Sequence, residues 1–162
     1  MNIAIRPAAA TDEDGIWRIF REVVQRGDTL AFDPDISREE ALAFWCATTN
    51  MTFVACMGDE IVGTYFVKPN QPGLGSHVAN AGYMVRGDMQ GKGIGRAMCE
   101  HSLESAGNAG FQAMQFNIVI STNTSAVRLW QSMGFEIVGT LPKVFRHKEL
   151  GLVDAYVMHR FL

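Results

Sequence analysis

The sequence predicts an α/β (α+β) chain: a mixed sheet of about six to seven strands flanked by about four helices. Three observations carry this. Seven short apolar segments read as strands, with clear period-two alternation in NIAIRPA and QAMQFNIVI. Four other segments read as helices, three of them behind a polar capping residue, with apolar residues at three- or four-residue steps. The order is strand, two helices, three strands, helix, strand, helix, two strands, a mixture of hairpins and crossovers that a mixed sheet covered by helices accommodates.

Taken in order, NIAIRPA alternates and then meets proline, which reads as a short strand. Thr11 reads as the N-cap of a helix with Asp12, Glu13 and Asp14 in its first turn and Ile16, Ile19, Phe20, Val23 and Val24 on one face. GDTLAFDPD, from Gly27 to Asp35, breaks that helix as a loop, and Ser37 followed by Glu39 and Glu40 opens a second helix through about Cys46. MTFVACM and EIVGTYFV, joined by Gly58-Asp59, form a hairpin. QPGLGSH is a loop, VANAGYMV to Val85 a fourth strand, and Ile94 to about Asn108 a helix carrying Ile94, Met98, Cys99, Leu103 and Ala106 inward. QAMQFNIVI alternates, with Met114, Phe116, Ile118 and Ile120 opposite Gln115, Asn117 and Val119. Asn123 caps a short helix with Ala126, Val127, Trp130 and Met133 inward and Gly134 at its end. FEIVGT and VDAYVMHRFL are the last two strands, leaving Lys143–His147 between them as a loop.

The bulk properties narrow the class. At 162 residues, 48% hydrophobic and 19% charged, the composition suits a single domain with a sizeable core. A net charge of −3 gives no global attraction for nucleic acid or an anionic membrane, so neither is an expected partner. The acidic start lacks the apolar core of a secretory signal, and no window is apolar enough to span a bilayer. Cys46, Cys56 and Cys99 lack paired spacing, which reads as reduced thiols in the cytoplasm and argues against a metal knuckle.

The chemistry concentrates at Gln90-Gly91-Lys92-Gly93-Ile94-Gly95-Arg96. A strand running into glycines and then a helix exposes backbone N–H groups that have no intrahelical partner and sit at the positive end of the helix dipole, where a diphosphate can satisfy them. Lys92, Arg96 and Arg86 add local positive charge. A nucleoside-triphosphate loop would need Gly-x-x-x-x-Gly-Lys-Ser/Thr, which is absent. A dinucleotide fold would need an acidic residue about twenty positions on, and the strand from Gln112 to Ile120 has none.

On these residues, QGKGIG resembles the acyl-CoA motif Gln/Arg-x-x-Gly-x-Gly/Ala of the GNAT superfamily of N-acetyltransferases, and NTSAVRLWQSMGF is similar to its downstream Asn-x-x-Ala-x-x-Leu-Tyr-x-x-x-Gly-Phe signature. The resemblance covers essentially the whole chain; TLAFDPD and HVANAGYMV most resemble the small amino-acid acetyltransferases, including those acting on phosphinothricin and on proline analogues. It implies a GNAT fold, with a mostly antiparallel sheet splayed between strands four and five, and acetyl-CoA as cofactor. The backbone of Met84 and Val85 would face the acetyl and pantetheine portion, Gln90 through Arg96 would wrap the pyrophosphate, and Asn123 would reach the pantetheine arm. Small members of the superfamily are often dimers, and the apolar last strand is the contact this suggests.

The resemblance also implies transfer of an acetyl group from a thioester to the amine of a small amino acid or analogue. Two positions depart from the pattern. Trp130 replaces the tyrosine that would protonate the leaving thiolate, and an indole N–H is a donor without useful acidity. Asn80 stands where phosphinothricin-type relatives carry a glutamate base; an amide cannot take the proton, so His77, Asp33 or a water chain is needed. His147 is a further base candidate. Phe32, Asp33, Asn80 and Asn117 are the expected acceptor contacts, with Lys143, Arg128 and Arg146 read as solvated charges. A peptide acetyltransferase and a non-catalytic acyl-CoA-binding module remain alternatives.

Overall fold

The computed structural model describes residues 2–162. Among these, a seven-stranded sheet has the order β1-β2-β3-β4-β5-β7-β6. The strands are β1 (Ala4–Pro7), β2 (Met51–Met57), β3 (Glu60–Pro69), β4 (Val78–Val85), β5 (Ala113–Ile120), β6 (Glu136–His147) and β7 (Gly151–Phe161). The helices are α1 (Glu13–Arg26), α2 (Arg38–Trp45), α3 (Ile94–Asn108) and α4 (Thr124–Ser132). Every neighbouring pair is antiparallel except β4 and β5, which are parallel and register only at Val78↔Ala113 and Ala79↔Met114. Beyond those pairs the two strands diverge, so the sheet opens as a V toward the C-terminal end of β4.

The two faces of the sheet carry separate cores. Ile16, Ile19, Phe20, Val23 and Val24 of α1 are all buried, as their spacing requires, with Ala41 and Trp45 of α2 against Val54, Cys56, Phe66 and Met84. Burying each such side chain contributes about 1.5–3 kcal/mol. On the other face, Ile94, Met98, Cys99 and Ala106 of α3 and Trp130 of α4 pack on Tyr65, Ala81, Met114 and Phe116. Leu103 packs half-buried against this core as expected, and Ser102 beside it is fully buried, its Oγ donating to Cys99 C=O at 2.7 Å and meeting Tyr83 Oη at 2.7 Å.

Local chemistry explains the remaining differences from expectation. Thr11 is not the N-cap of α1: a 3₁₀ turn over Ala10–Asp12 precedes it. Asp12 holds the N-cap position of α1 without a side-chain bond to that helix; its carboxylate closes the 3₁₀ turn instead, accepting Ala9 N–H at 2.7 Å and both arms of Arg6 at 2.7 and 2.8 Å. Ser37 does cap α2, in a reciprocal pair with Glu40. Lys143–His147 is strand, not loop: β6 continues through it after an irregularity between Leu141 and Phe145, where Lys143 adopts φ 51° and its N–H is taken by Asp154 Oδ1 at 2.9 Å. A second irregularity, between Phe116 and Val119, ends the alternation of β5 and buries Val119, expected on the polar side. The three cysteines are free, and no helix of the described residues is long and apolar enough to cross a membrane.

Candidate active site

The divergence of β4 from β5 creates a cavity of about 780 Å³. Its first wall follows from the hydrogen-bond parity of β4. Arg86 N–H donates to Val62 C=O at 2.9 Å and Asn70 N–H to Val78 C=O at 2.8 Å, so even-numbered residues of β4 bond β3. Odd-numbered residues face the opposite way, as His77 C=O does in accepting Gln112 N–H at 2.8 Å. Ala81, Tyr83 and Val85 therefore turn their N–H and C=O groups toward a strand that has already left. Such groups need a partner, and the cavity they line can hold one. Met84 lines the cavity too, but its backbone is committed to β3.

The second wall is the entrance of α3. Gln90, Gly91, Gly93, Ile94, Gly95 and Arg96 all line the cavity. Gly91 and Gly93 have φ of 74° and 81°, a left-handed region that favours glycine, and a Cβ built on either meets nothing within 4 Å. The space beside them is thus open, and Gly93 begins α3 with the N–H groups of the first turn unpaired. Arg96 reaches Ser132 Oγ at 3.0 Å and makes no ion pair among the described residues. Lys92 does not line the cavity but stands exposed beside it, Nζ 3.5 Å from Met89 Sδ. Arg86, expected to add charge here, is spent on Asp88 at 2.6 Å and Glu60 at 3.0 Å. The residues present fit a diphosphate: free donors, open space at two glycines and uncompensated cations.

Asn123 also lines the cavity. It precedes α4 at the capping position, yet its side chain makes no capping bond and accepts only from Ser125 Oγ at 3.3 Å. The expected structural reason for an asparagine there is therefore missing, and its amide N–H is free. Trp130 stands both in the core and on the cavity wall, 9% exposed, with ring centroids 4.9 Å from Tyr83 and 5.0 Å from Phe116. Tyr83 presents its ring to the cavity, but its hydroxyl is turned to Ser102, and burial holds its pKa well above the usual phenol value. It is no proton donor for the cavity. Burial likewise pushes the Cys99 thiol up to about 12.

The expected acceptor and base residues fall elsewhere. His77 is exposed at the N-terminal start of β4, at the closed vertex of the V and the opposite end from Val85. Asn80, next beyond the last backbone pair, donates its amide to Gln115 C=O at 3.0 Å. Asn117 is exposed, donating to Asn70 Oδ1 at 2.7 Å and accepting from Gln115 Nε2 at 2.9 Å. Phe32 packs between Phe20 and Phe44 at 4.9 and 5.1 Å, and Asp33 closes its own turn by accepting Asp35 N–H at 2.8 Å. His147 spends Nδ1 accepting the N–H groups of Glu149 and Leu150 at 3.1 and 3.2 Å. None of these six lines the cavity.

In their place the wall carries Arg26, the last residue of α1, and Asp28, Thr29 and Leu30 just after it. None of these was singled out as a site residue from sequence, although Thr29 and Leu30 open the stretch TLAFDPD that carried the resemblance. The one available signal was a polar Asp-Thr pair between a helix-ending glycine and an apolar run.

The sequence profile described as the acetyltransferase (GNAT) family matches residues 16–135. The chain is 38% identical over 151 residues to "N-acetyltransferase aca1" of Schizosaccharomyces pombe, covering 83% of this chain and 72% of that one. It is 30% identical over 109 residues to "L-amino acid N-acetyltransferase AaaT" of Escherichia coli, covering 66% and 65%. The solved structure of a GCN5-related N-acetyltransferase from Kribbella flavida superposes with a TM-score of 0.95 at 43% identity, over 99% of this chain and 98% of that one.

Proposed function

Because the chain belongs to the acetyltransferase (GNAT) family and uses acetyl-CoA, we propose that it acetylates the amine of a small amino acid or analogue by direct attack on the thioester. The observation that carries this reading is the V between β4 and β5, with unpaired backbone groups on one wall and a glycine cradle at one end. The amino-acid specificity named for the E. coli relative supports the choice of acceptor. The size of the cavity does so as well: about 780 Å³ holds the arm of the cofactor and leaves room for a compact amine.

In this reading Gln90 through Arg96 hold the pyrophosphate with backbone N–H groups, helped by the charges of Arg96 and Lys92. Asn123 offers its free amide to the pantetheine arm. When bound, acetyl-CoA supplies an activated acetyl group. The backbone N–H of Val85 or Tyr83, free on the cavity wall, would polarise the thioester carbonyl, a contact that would be stronger in the transition state than before it. Trp130 and Tyr83 close one side with aromatic surface and exclude water. No side chain of the cavity wall is a competent acid toward the thiolate, so the proton it takes comes from the attacking nitrogen or from water.

The wider setting belongs to the same reading: a single catalytic domain, in the cytoplasm, where the three free thiols stay reduced. It forms a homodimer through the exposed apolar residues Val138, Val144 and Leu152 of the β6–β7 hairpin.

A panel of amines incubated with acetyl-CoA, followed by thiol release, tests the proposal. Turnover is expected on small amino acids and not on peptides. Stabilisation by CoA without turnover on any amine would leave only an acyl-CoA-binding module.

A further inference from the structure

Resting on the acetyltransferase reading, we infer that Asp28 receives the ammonium group of the acceptor and takes its proton. Asp28 is the only carboxylate on the cavity wall among the described residues. Its Oδ1 is buried without a hydrogen-bond partner, as is the hydroxyl oxygen of its neighbour Thr29, also on the wall. Buried polar atoms are seldom left unmade, and two adjacent ones beside a cavity mark a place where a ligand completes the bonding.

The segment is held firmly enough to serve. Gly27 closes α1, and its C=O accepts Lys148 N–H at 3.0 Å from the turn between β6 and β7. Lys148 Nζ adds a bond to Gln25 C=O at 3.4 Å. Two elements remote in sequence thus fix the residue before Asp28.

The charges facing Asp28 are few. Arg26 Nε lies 3.6 Å from Oδ1, longer than a hydrogen bond, and Arg26 is shared with Glu22 at 3.8 Å and, with the Gln90 amide turned so that its oxygen accepts, with Gln90 at 3.1 and 3.2 Å. Lys148 is turned to Gln25. The carboxylate, with its side chain 40% exposed, is left able to pair with an incoming cation.

The step balances as follows. The ammonium nitrogen gives one proton to the Asp28 carboxylate, leaving a neutral amine whose lone pair forms the C–N bond as the C–S bond of the thioester breaks. The departing thiolate takes the second proton from the new amide nitrogen, and Asp28 releases its own to water. The residues expected from sequence to do this, His77, Asp33 and Asn80, are off the wall or already bonded.

Asp28→Asn tests the role. Because Oδ1 makes no hydrogen bond in the free protein, the variant should melt at the wild-type temperature and keep the wild-type KM for acetyl-CoA. The KM for the amine should rise or kcat/KM fall by roughly 10- to 100-fold, the worth of a charge-assisted hydrogen bond. That deficit should shrink as pH approaches the pKa of the amine, where the substrate arrives already neutral. Asp28→Glu should recover part of the activity, and Asp59→Asn, an equal charge change in the exposed β2–β3 turn, should have no effect. An active wild type with Asp28→Asn unaltered, or with a deficit that does not vary with pH, overturns the role of Asp28 alone. A wild type stabilised by CoA but inert on every amine overturns the acetyltransferase reading and this inference with it.

Discussion

At Gly93 a single hydrogen atom keeps the space in front of the first turn of α3 open, and the proposed phosphate cradle depends on it. Gly93→Ala places a methyl group in space that is empty in the free protein, so the fold survives; its φ of 81° makes the change cost about 1–2 kcal/mol. The same methyl group would stand where a phosphate must approach the N–H groups of α3. Calorimetric titration with CoA should therefore show at least about a tenfold loss of affinity, about 1.4 kcal/mol, beside a modest drop in melting temperature. Unchanged affinity would remove Gly93 from the site. Trp130 teaches a complementary lesson: its spacing on α4 announced a core residue, and it is one, yet the same indole forms cavity wall. The packing makes the two roles compatible.

Between elements, the decisive contact is the point where β4 and β5 part. Past Ala79↔Met114 the backbone ladder stops, and the Asn80 amide takes the Gln115 carbonyl that the next strand N–H would have used. The residue that looked like a substitute for a catalytic glutamate thus acts as a clasp at the vertex. Asn80→Ala should lower unfolding free energy by about 1 kcal/mol in denaturant melts while kcat changes by less than about threefold. A large fall in kcat at unchanged stability would return Asn80 to the chemistry. Elsewhere, Asp12 ties β1 to the start of α1, and its bonds from Arg6 and Ala9 hold its carboxyl below the usual range. A carboxyl with a lowered folded-state pKa binds fewer protons folded than unfolded, so its contribution is present above about pH 4 and fades as pH falls below that. Melts of wild type and Asp12→Asn from pH 7 to pH 3 should differ by about 1 kcal/mol at neutral pH and converge in acid. A gap that persists at pH 3 would deny the carboxylate its role.

At the scale of the whole molecule, the cavity joins the β1–β4 half of the sheet to the β5–β7 half, where only two backbone pairs connect them. A ligand lying across that opening should stabilise the entire chain: at about 100 times its Kd, CoA adds about 2.7 kcal/mol, or roughly 5–10 °C in melting temperature. Failure to shift the melt would sink the cofactor site. How far the sequence reaches follows from the same geometry. The strands, the helices, Ser37 with Glu40, and the glycines at 91 and 93 were legible because each rests on neighbours within a turn or two of chain. The β6 extension was hidden by Pro142 and Lys143, whose turn-like chemistry is absorbed by a bulge bonded to Asp154. The acceptor end was misplaced for a deeper reason. By itself the sequence determined the order of the elements and the open glycine turn at the head of α3, since a strand, its glycines and the following helix are contiguous. Only the tertiary structure decided which groups face the cavity: strand divergence and packing put Asp28 and the rings of Tyr83 and Trp130 on its wall, and Asn80 and Asp33 are withdrawn by bonds made elsewhere.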